Sequence, residues 1–280
     1  MAIELATKYE PYVDEIFTTE SKKEVLTNQD FEWTGAKTVK IYKITTAEMN
    51  DYARNGDTAQ SRYGKAKDLN ATTQEMTLKK DRSFTYVIDR LDSDETVGAL
   101  QASSSLARQV REVVVPEVDS YTYSVMCEKA GTKPDPIQLT SNNIYDEIIE
   151  ASRVMDNAEV PETNRIIVVT PDSYHLMKKC KDIIMETDIS TEMRLRGVVG
   201  LLDGAAVMRI PAPRLPKGFG FMMAHSVATV APTKLEDYKI HDNPPGISGH
   251  LVEGRICYDA FVLDNKVKAI YYQSLLVEAE

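Results

Sequence analysis

Four histidines, three cysteines and 43 carboxylates are the groups with which this 280-residue chain could perform chemistry, and their spacing decides what they can do. His175, His225, His241 and His250 miss the HxxxH spacing that puts two imidazoles and a carboxylate around one metal ion. Cys127, Cys180 and Cys257 are odd in number and form no CxxC pair, so they read as buried or half-buried thiols of a reducing compartment. The carboxylates are scattered, and no two stand out as a general acid and base. "KGFGFMMA" supplies Gly218 and Gly220, but Met223 occupies the third small position of a GxGxxG cradle. That stretch also runs into a strand, so no helix N-terminus faces a phosphate. "GISGH", Gly246 to His250, is not the GxSxG elbow that exposes a nucleophilic serine. Asn70 to Thr72 matches a glycosylation sequon, but no secretory signal accompanies it. Neither a catalytic, a cofactor-binding nor a metal-binding set emerges, no cofactor is expected, and the weight moves toward a structural or binding role.

The elements that would have to position such groups follow from composition and periodicity. At 42% hydrophobic and 27% charged, the chain has ample material for one large domain or two modest ones. A net charge of −10 argues against a basic coat on nucleic acid, although a local patch or an interior face is compatible with it. No apolar run approaches the ~20 residues needed to cross a bilayer. "MAIELATKYEPYVDEIF" is acidic where a signal peptide needs a basic start, so a soluble, cytosolic product without a membrane partner is expected.

Along the chain, "PYVDEIFTTESKKEVLTN" offers one short amphipathic helix carrying Val13, Ile16 and Phe17, within an extended arm. "TVKIYKI" (Thr38 to Ile44) alternates as a strand, and "MTLKKDRSFTYVID" (Met76 to Asp89) reads as a second one. Asp92, Ser93 and Asp94 are cap candidates for a long helical tract whose stripe is Val97, Leu100, Leu106, Val110, Val113 and Val114. Pro116 is expected to kink or restart that helix, and Gly131 to end it. "SNNIYDEIIEASRVMDNA" predicts a helix capped by Ser141 or Asn142 and buried through Ile144, Ile148, Ala151 and Met155. "NRIIVVT" reads as a strand buried on both faces, and Pro171 opens a helix running through "PDSYHLMKKCKDII". Asp203-Gly204 marks a hairpin turn, further strands follow, and Asp264-Asn265 reads as another such turn.

Between the first two strands lies "MNDYARNGDTAQSRYGKAKDLNATTQEM", residues 49 to 76, polar and far longer than connections in compact domains usually are. Its length demands a reason. Arg54, Arg62, Lys65 and Lys67 stand there among Asp51, Asp57 and Asp68, a mixture suited to a polar neighbouring surface or to solvent.

Taken together, several stretches resemble the major capsid proteins of tailed bacteriophages. "REVVVPEVDSYTYSVMCEKAG" resembles their spine-helix region, and "NRIIVVTPDSYHLMKK" the strand-and-helix unit of their axial domain. "LLDGAAVMRIPAPRLP" is similar to a Gly-centred hairpin ending in proline, and "PPGISGHLVEGRICYDAFVLDNKVKAIYY" to their C-terminal strands. The resemblance covers nearly the whole chain in the order of its elements.

The resemblance implies an α+β fold of the Hong Kong 97 type. Its parts are an N-terminal arm at 1–30, a strand pair with extended loop at 31–91, a peripheral domain at 92–136 with 233–280, and an axial domain at 137–232. It implies self-assembly through pentamers and hexamers into a closed icosahedral shell around packaged double-stranded DNA, bound without sequence specificity. A scaffolding protein, a portal and a decoration protein are the further partners, and the virion capsid, assembled in the bacterial cytoplasm, is the location. The patterned strand begins near Trp33, which leaves no room for a long N-terminal scaffolding segment, so a separate scaffold or none, and no maturation cleavage, is expected. The loop becomes an intersubunit arm, with Arg54, Arg62, Lys65 and Lys67 as its contacts. An encapsulin-type nanocompartment shell has the same fold and encloses enzyme cargo. A cytosolic α/β enzyme using the loop as a lid is the reading from another class, but a lid brings apolar cover where this loop brings charge.

Overall fold

The computed structural model describes residues 21–28, 30, 38–44, 46–52, 54, 62–63, 68, 71–95, 102–181, 183 and 198–276. The chain divides into two compact units, Gly35–Leu78 and a larger one built from Met1–Thr34 with Lys79–Glu280.

The smaller unit is a hairpin. β1 (Thr38–Ile44) runs antiparallel to β2 (Ala71–Thr77), in register from Thr38 opposite Thr77 to Ile44 opposite Ala71. Lys40 Nζ and Glu75 Oε1 pair across it at 2.5 Å, and the Thr38 and Thr77 hydroxyls meet at 2.9 Å. The strand expected over Met76 to Asp89 is therefore two strands. β2 ends at Thr77, and β3 (Lys80–Asp89) belongs to another sheet. The step between them has a cause: Lys79 N donates to the buried Asp259 carboxylate at 2.8 Å, where a continuing strand would need a ladder partner.

In the larger unit, β3 and β9 (Thr233–Asp242) flank β10 (Gly249–Tyr258) in an antiparallel three-stranded sheet. β9 escaped the sequence reading because "TKLEDYKIHD" carries too few large apolar residues to show a buried face. One sheet face packs on a long helical tract. Ile88 and Val252 meet Ala102 with Leu106, and Ile256 and Tyr258 meet Val114 with Val118. Asp92 to Asp94 do not cap this tract. They lie inside a separate short helix, α2 (Arg90–Glu95), following α1 (Lys23–Leu26), and α3 starts at Ala102 and runs to Gln109. Val97 and Leu100 lie outside the described residues.

Pro116 stands at a junction between two helical stretches, as its position predicts. Val110–Val114 forms a π-helical turn between α3 and α4 (Val115–Glu128), in which Val115 N reaches back five residues to Val110 O. The wider turn precedes the proline, which sits in the first turn of α4 where its missing N–H costs least.

The second sheet orders its strands β12-β7-β4-β6-β5. β4 (Arg165–Val169) is central and wholly buried, parallel to β6 (Ala205–Arg209) and antiparallel to β7 (Phe219–His225). β5 (Val198–Leu202) forms a hairpin with β6 through Asp203 and Gly204, whose φ values of 48° and 77° suit a tight mirror-image turn. α5 (Ile144–Asn157) presses Ile144, Ile148, Ala151 and Met155 into the core, as its stripe predicts. Its flanking residue is Asn143, not Ser141 or Asn142. The Asn143 Oδ1 accepts from Thr140 N at 2.7 Å and braces the preceding loop.

α6 (Pro171–Lys179) begins at Thr170, whose Oγ1 accepts from Ser173 N at 3.0 Å, while Ser173 Oγ donates to Gly220 O at 2.8 Å. The helix stops short of the expected "CKDII" because Cys180 turns into the core in an extended conformation. Thr170→Ala is expected to cost about 1 kcal/mol, read as a lower urea midpoint without a change of slope.

Asp264-Asn265 is not a hairpin turn. Residues Asp264–Ala269 form a 3-10 stretch that carries the chain from β11 (Phe261–Val262), paired with β8 (Thr229–Val230), to β12 (Ile270–Ser274), paired with β7. The block 233–280 is thereby divided: β9 and β10 join β3, and β12 closes the edge of the second sheet.

Candidate functional site

The residues singled out for chemistry do not converge. His175 is exposed on α6, and His225 is buried with its Nδ1 accepting from Val227 N at 3.2 Å; burial holds the His225 imidazole below its ordinary pKa. His241 Nε2 lies 3.3 Å from Glu253, and His250 Nδ1 lies 2.6 Å from Asp242. His250 and Cys257 both belong to β10, but a separation of seven places them on opposite faces of the strand. Cys127 is buried in the core, and that burial pushes its thiol up to about 12, out of the thiolate range. Among the described residues no group of three His, Cys, Asp or Glu side chains is placed to hold a metal.

Two buried carboxylates do have built surroundings. Asp259 accepts at Oδ2 from Lys79 N, and at Oδ1 from Tyr121 Oη and Ala260 N, all at 2.8 Å. Burial first, and then Asp259, push the Tyr121 hydroxyl up to about 12, so it ties elements together and moves no proton near neutrality. Arg82 Nε and Tyr258 Oη both donate to Glu117 Oε1 on α4, at 2.8 and 3.1 Å. This polar seam fastens the start of β3 and the end of β10 to the helix.

Asp119 on α4 forms the other. Its Oδ2 accepts from Arg214 Nη1 at 2.9 Å and its Oδ1 from Ser21 Oγ at 2.6 Å, with side-chain exposures of only 1% and 7% for Asp119 and Arg214. Ser21 opens a segment that straps across this unit: Lys22 Nζ donates to Arg209 O at 2.9 Å, Leu26 is fully buried, and Asn28 N donates to Thr229 O at 2.7 Å. The described end of the expected arm is thus anchored. Val13, Ile16 and Phe17 lie outside the described residues.

In the smaller unit, Arg54 and Arg62 are exposed, while Lys65 and Lys67 lie outside the described residues. With the two arginines stand residues the sequence reading passed over. Met49 is 98% exposed and Tyr63 78%, and Tyr63 meets Tyr52 edge-on with centroids 5.0 Å apart. Methionine, tyrosine and arginine are the types enriched where proteins meet proteins. The signal was available: they are the large non-aliphatic groups in an otherwise small and polar loop.

No protein-family profile and no curated protein matches the chain. Solved structures do. One from Mycobacterium phage Che8 superposes with a TM-score of 0.74 at 15% identity, covering 97% of this chain and 96% of that one. The capsid of Cyanophage P-SCSP1u gives a TM-score of 0.74 at 11% identity, covering 98% and 93%. The mature capsid of bacteriophage PhiM1 gives 0.72 at 12%, covering 99% and 93%. The chain has the α+β, Hong Kong 97-like fold of these phage capsid structures.

Proposed function

We propose that this chain is the major capsid protein of a tailed bacteriophage, assembling with copies of itself into the icosahedral shell of the virion. The observation that carries the reading is likeness to phage capsids over nearly the full length of both chains. In this reading residues 1–30 are the N-terminal arm and 31–91 carry the extended loop. The peripheral domain comprises 92–136 with the β9–β10 sheet, and the axial domain comprises 137–232 with β12 added to it. The protein acts by surface and shape, without catalysis, and packaged DNA is a partner held without sequence specificity.

A hairpin that stands as its own compact unit explains the long polar loop. Two strands alone are marginal in water, and ordering each loop residue costs ~1–2 kcal/mol. A neighbouring subunit supplies the missing contacts, and each copy buries well beyond the ~2,000 Å² of an obligate pair.

Electron microscopy and sedimentation of the purified chain, alone and with a co-expressed scaffold, test the reading. Closed shells are expected; a monomer at every concentration under both conditions sinks it. The loop is tested by reversing Arg54, Arg62, Lys65 and Lys67 to glutamate. Each exposed pair contributes only ~0–1 kcal/mol, but every subunit repeats the loss. Circular dichroism and the melting temperature should match wild type while assembly fails or becomes salt-sensitive. Normal shells from the quadruple variant would show that charge does not hold the loop.

A further inference from the structure

A cluster of cations stands on the larger unit of this acidic chain. Tyr174 on α6 is flanked by Lys178, with Nζ 5.6 Å from the ring centroid, and by Arg209 at the end of β6, with its guanidinium carbon 5.5 Å away. Arg209 in turn receives the Lys22 ammonium at its carbonyl. Three elements separated in sequence therefore bring Lys22, Lys178 and Arg209 to one place, and Lys179 and Lys181 continue the run as exposed side chains. Burial first, and then the like charges of Arg209 and Arg214, hold the Lys22 ammonium below its ordinary pKa. Arg214 pairs with the buried Asp119.

Gathering like charges costs energy, and in a chain of net charge −10 it runs against the overall field. Such an arrangement is repaid by a partner that brings negative charge. We propose that Lys22, Lys178 and Arg209, arrayed around Tyr174, contact the phosphate backbone of duplex DNA, and that this patch marks the inner face of the shell.

The inference rests on the shell reading for the words "inner face"; the DNA contact stands on the patch itself. The chemistry favours duplex DNA over an acidic protein segment. The cations are spread over a half-buried aromatic face and rigid backbone, which suits a uniform line of phosphates, a contact that positions without reading sequence. Each phosphate neutralised releases condensed counterions, so binding must weaken steeply with salt.

The experiment measures binding of the full-length, unassembled protein to a 30-base-pair duplex across a salt series. Wild type is compared with Lys178→Glu/Arg209→Glu, with the milder Lys178→Gln/Arg209→Gln, and with a control, Lys234→Glu/Lys268→Glu, on exposed lysines elsewhere. The expected result is at least a tenfold loss for the reversed pair at low salt. The glutamine pair should lower the log–log salt slope by about 2, and the control should leave both unchanged. Equal binding by the reversed pair and wild type overturns the proposal, as does absence of wild-type binding at low salt. Polyglutamate displacing the protein from DNA as effectively as a second duplex also overturns it, in favour of an acidic protein partner. Cryo-electron microscopy of assembled shells tests the second half: the patch on the outer surface overturns the inner-face assignment. DNA binding intact in a chain that forms no shells would sink the shell reading and leave the patch standing.

Discussion

Arg214→Leu is expected to cost about 3–5 kcal/mol of folding stability, because it strands a carboxylate with no water to turn to. Asp119 is fully buried, and its two ties are Arg214 at 2.9 Å and the Ser21 hydroxyl at 2.6 Å. A buried pair adds little relative to an apolar replacement of both partners; losing one partner is what is costly. Asp119→Leu/Arg214→Leu should therefore recover most of the loss, which a simple packing defect at either position would not allow.

The pH dependence has a definite sign. Burial raises the Asp119 carboxyl above its ordinary pKa, opposed by the Ser21 hydrogen bond, by the charges of Arg214 and Lys23, and by the Arg214 hydrogen bond. A raised folded-state pKa means that the native protein holds this proton more tightly than the unfolded chain does. The group favours folding at low pH, and that contribution is lost as pH rises through the folded pKa. Without Arg214 the pKa rises further. The deficit of Arg214→Leu should then be largest near neutrality and should narrow as acid protonates Asp119. Urea titrations at about pH 7 and about pH 5 measure it; equal deficits at both would show that the carboxylate charge is not what the arginine serves.

Gly131→Ala is the second large effect, expected at about 3 kcal/mol and a melting temperature lower by about 6–12 °C. The chain leaving α4 lies directly against the backbone that enters β12. Gly131 N donates to Val267 O at 2.9 Å and to Ile270 O at 3.1 Å, and Tyr272 N returns a bond to Thr132 O at 3.0 Å. A methyl group on Gly131 would stand 2.4 Å from Val267 O, 2.6 Å from Val267 C and 2.8 Å from Lys268 N. These are backbone atoms, so no rotamer change relieves the clash, and the segment must separate from β12 at the cost of those bonds. Gly204→Asn serves as the contrast: nothing lies within 4 Å of a Cβ there, and asparagine tolerates its φ of 77°. A melting temperature for Gly131→Ala within a degree or two of wild type would show that the two segments are not held as described.

What sequence alone determined about this protein is what local periodicity encodes. The alternation of Thr38 to Ile44, the unbroken apolar run Ile166 to Val169 with its flanks, the stripe Ile144, Ile148, Ala151 and Met155, and the turn at Asp203-Gly204 all fold as read. Each depends on residues within a turn or a strand of one another, and the order of such elements sufficed for the resemblance to a capsid fold. Tertiary structure decided the rest, because the partners are far apart along the chain. Asp259 ends the β2–β3 run by catching Lys79 from 180 positions away, and Asp119 meets Ser21 and Arg214 across 98 and 95 positions. β9, with little apolar signal of its own, is a strand because β10 supplies its hydrogen bonds, and β12 leaves its neighbours in sequence to pair with β7. The cationic cluster belongs to the same class: Lys22, Lys178 and Arg209 lie far apart in a net-acidic sequence, and only the packing of a strap, a helix end and a strand end makes them one surface.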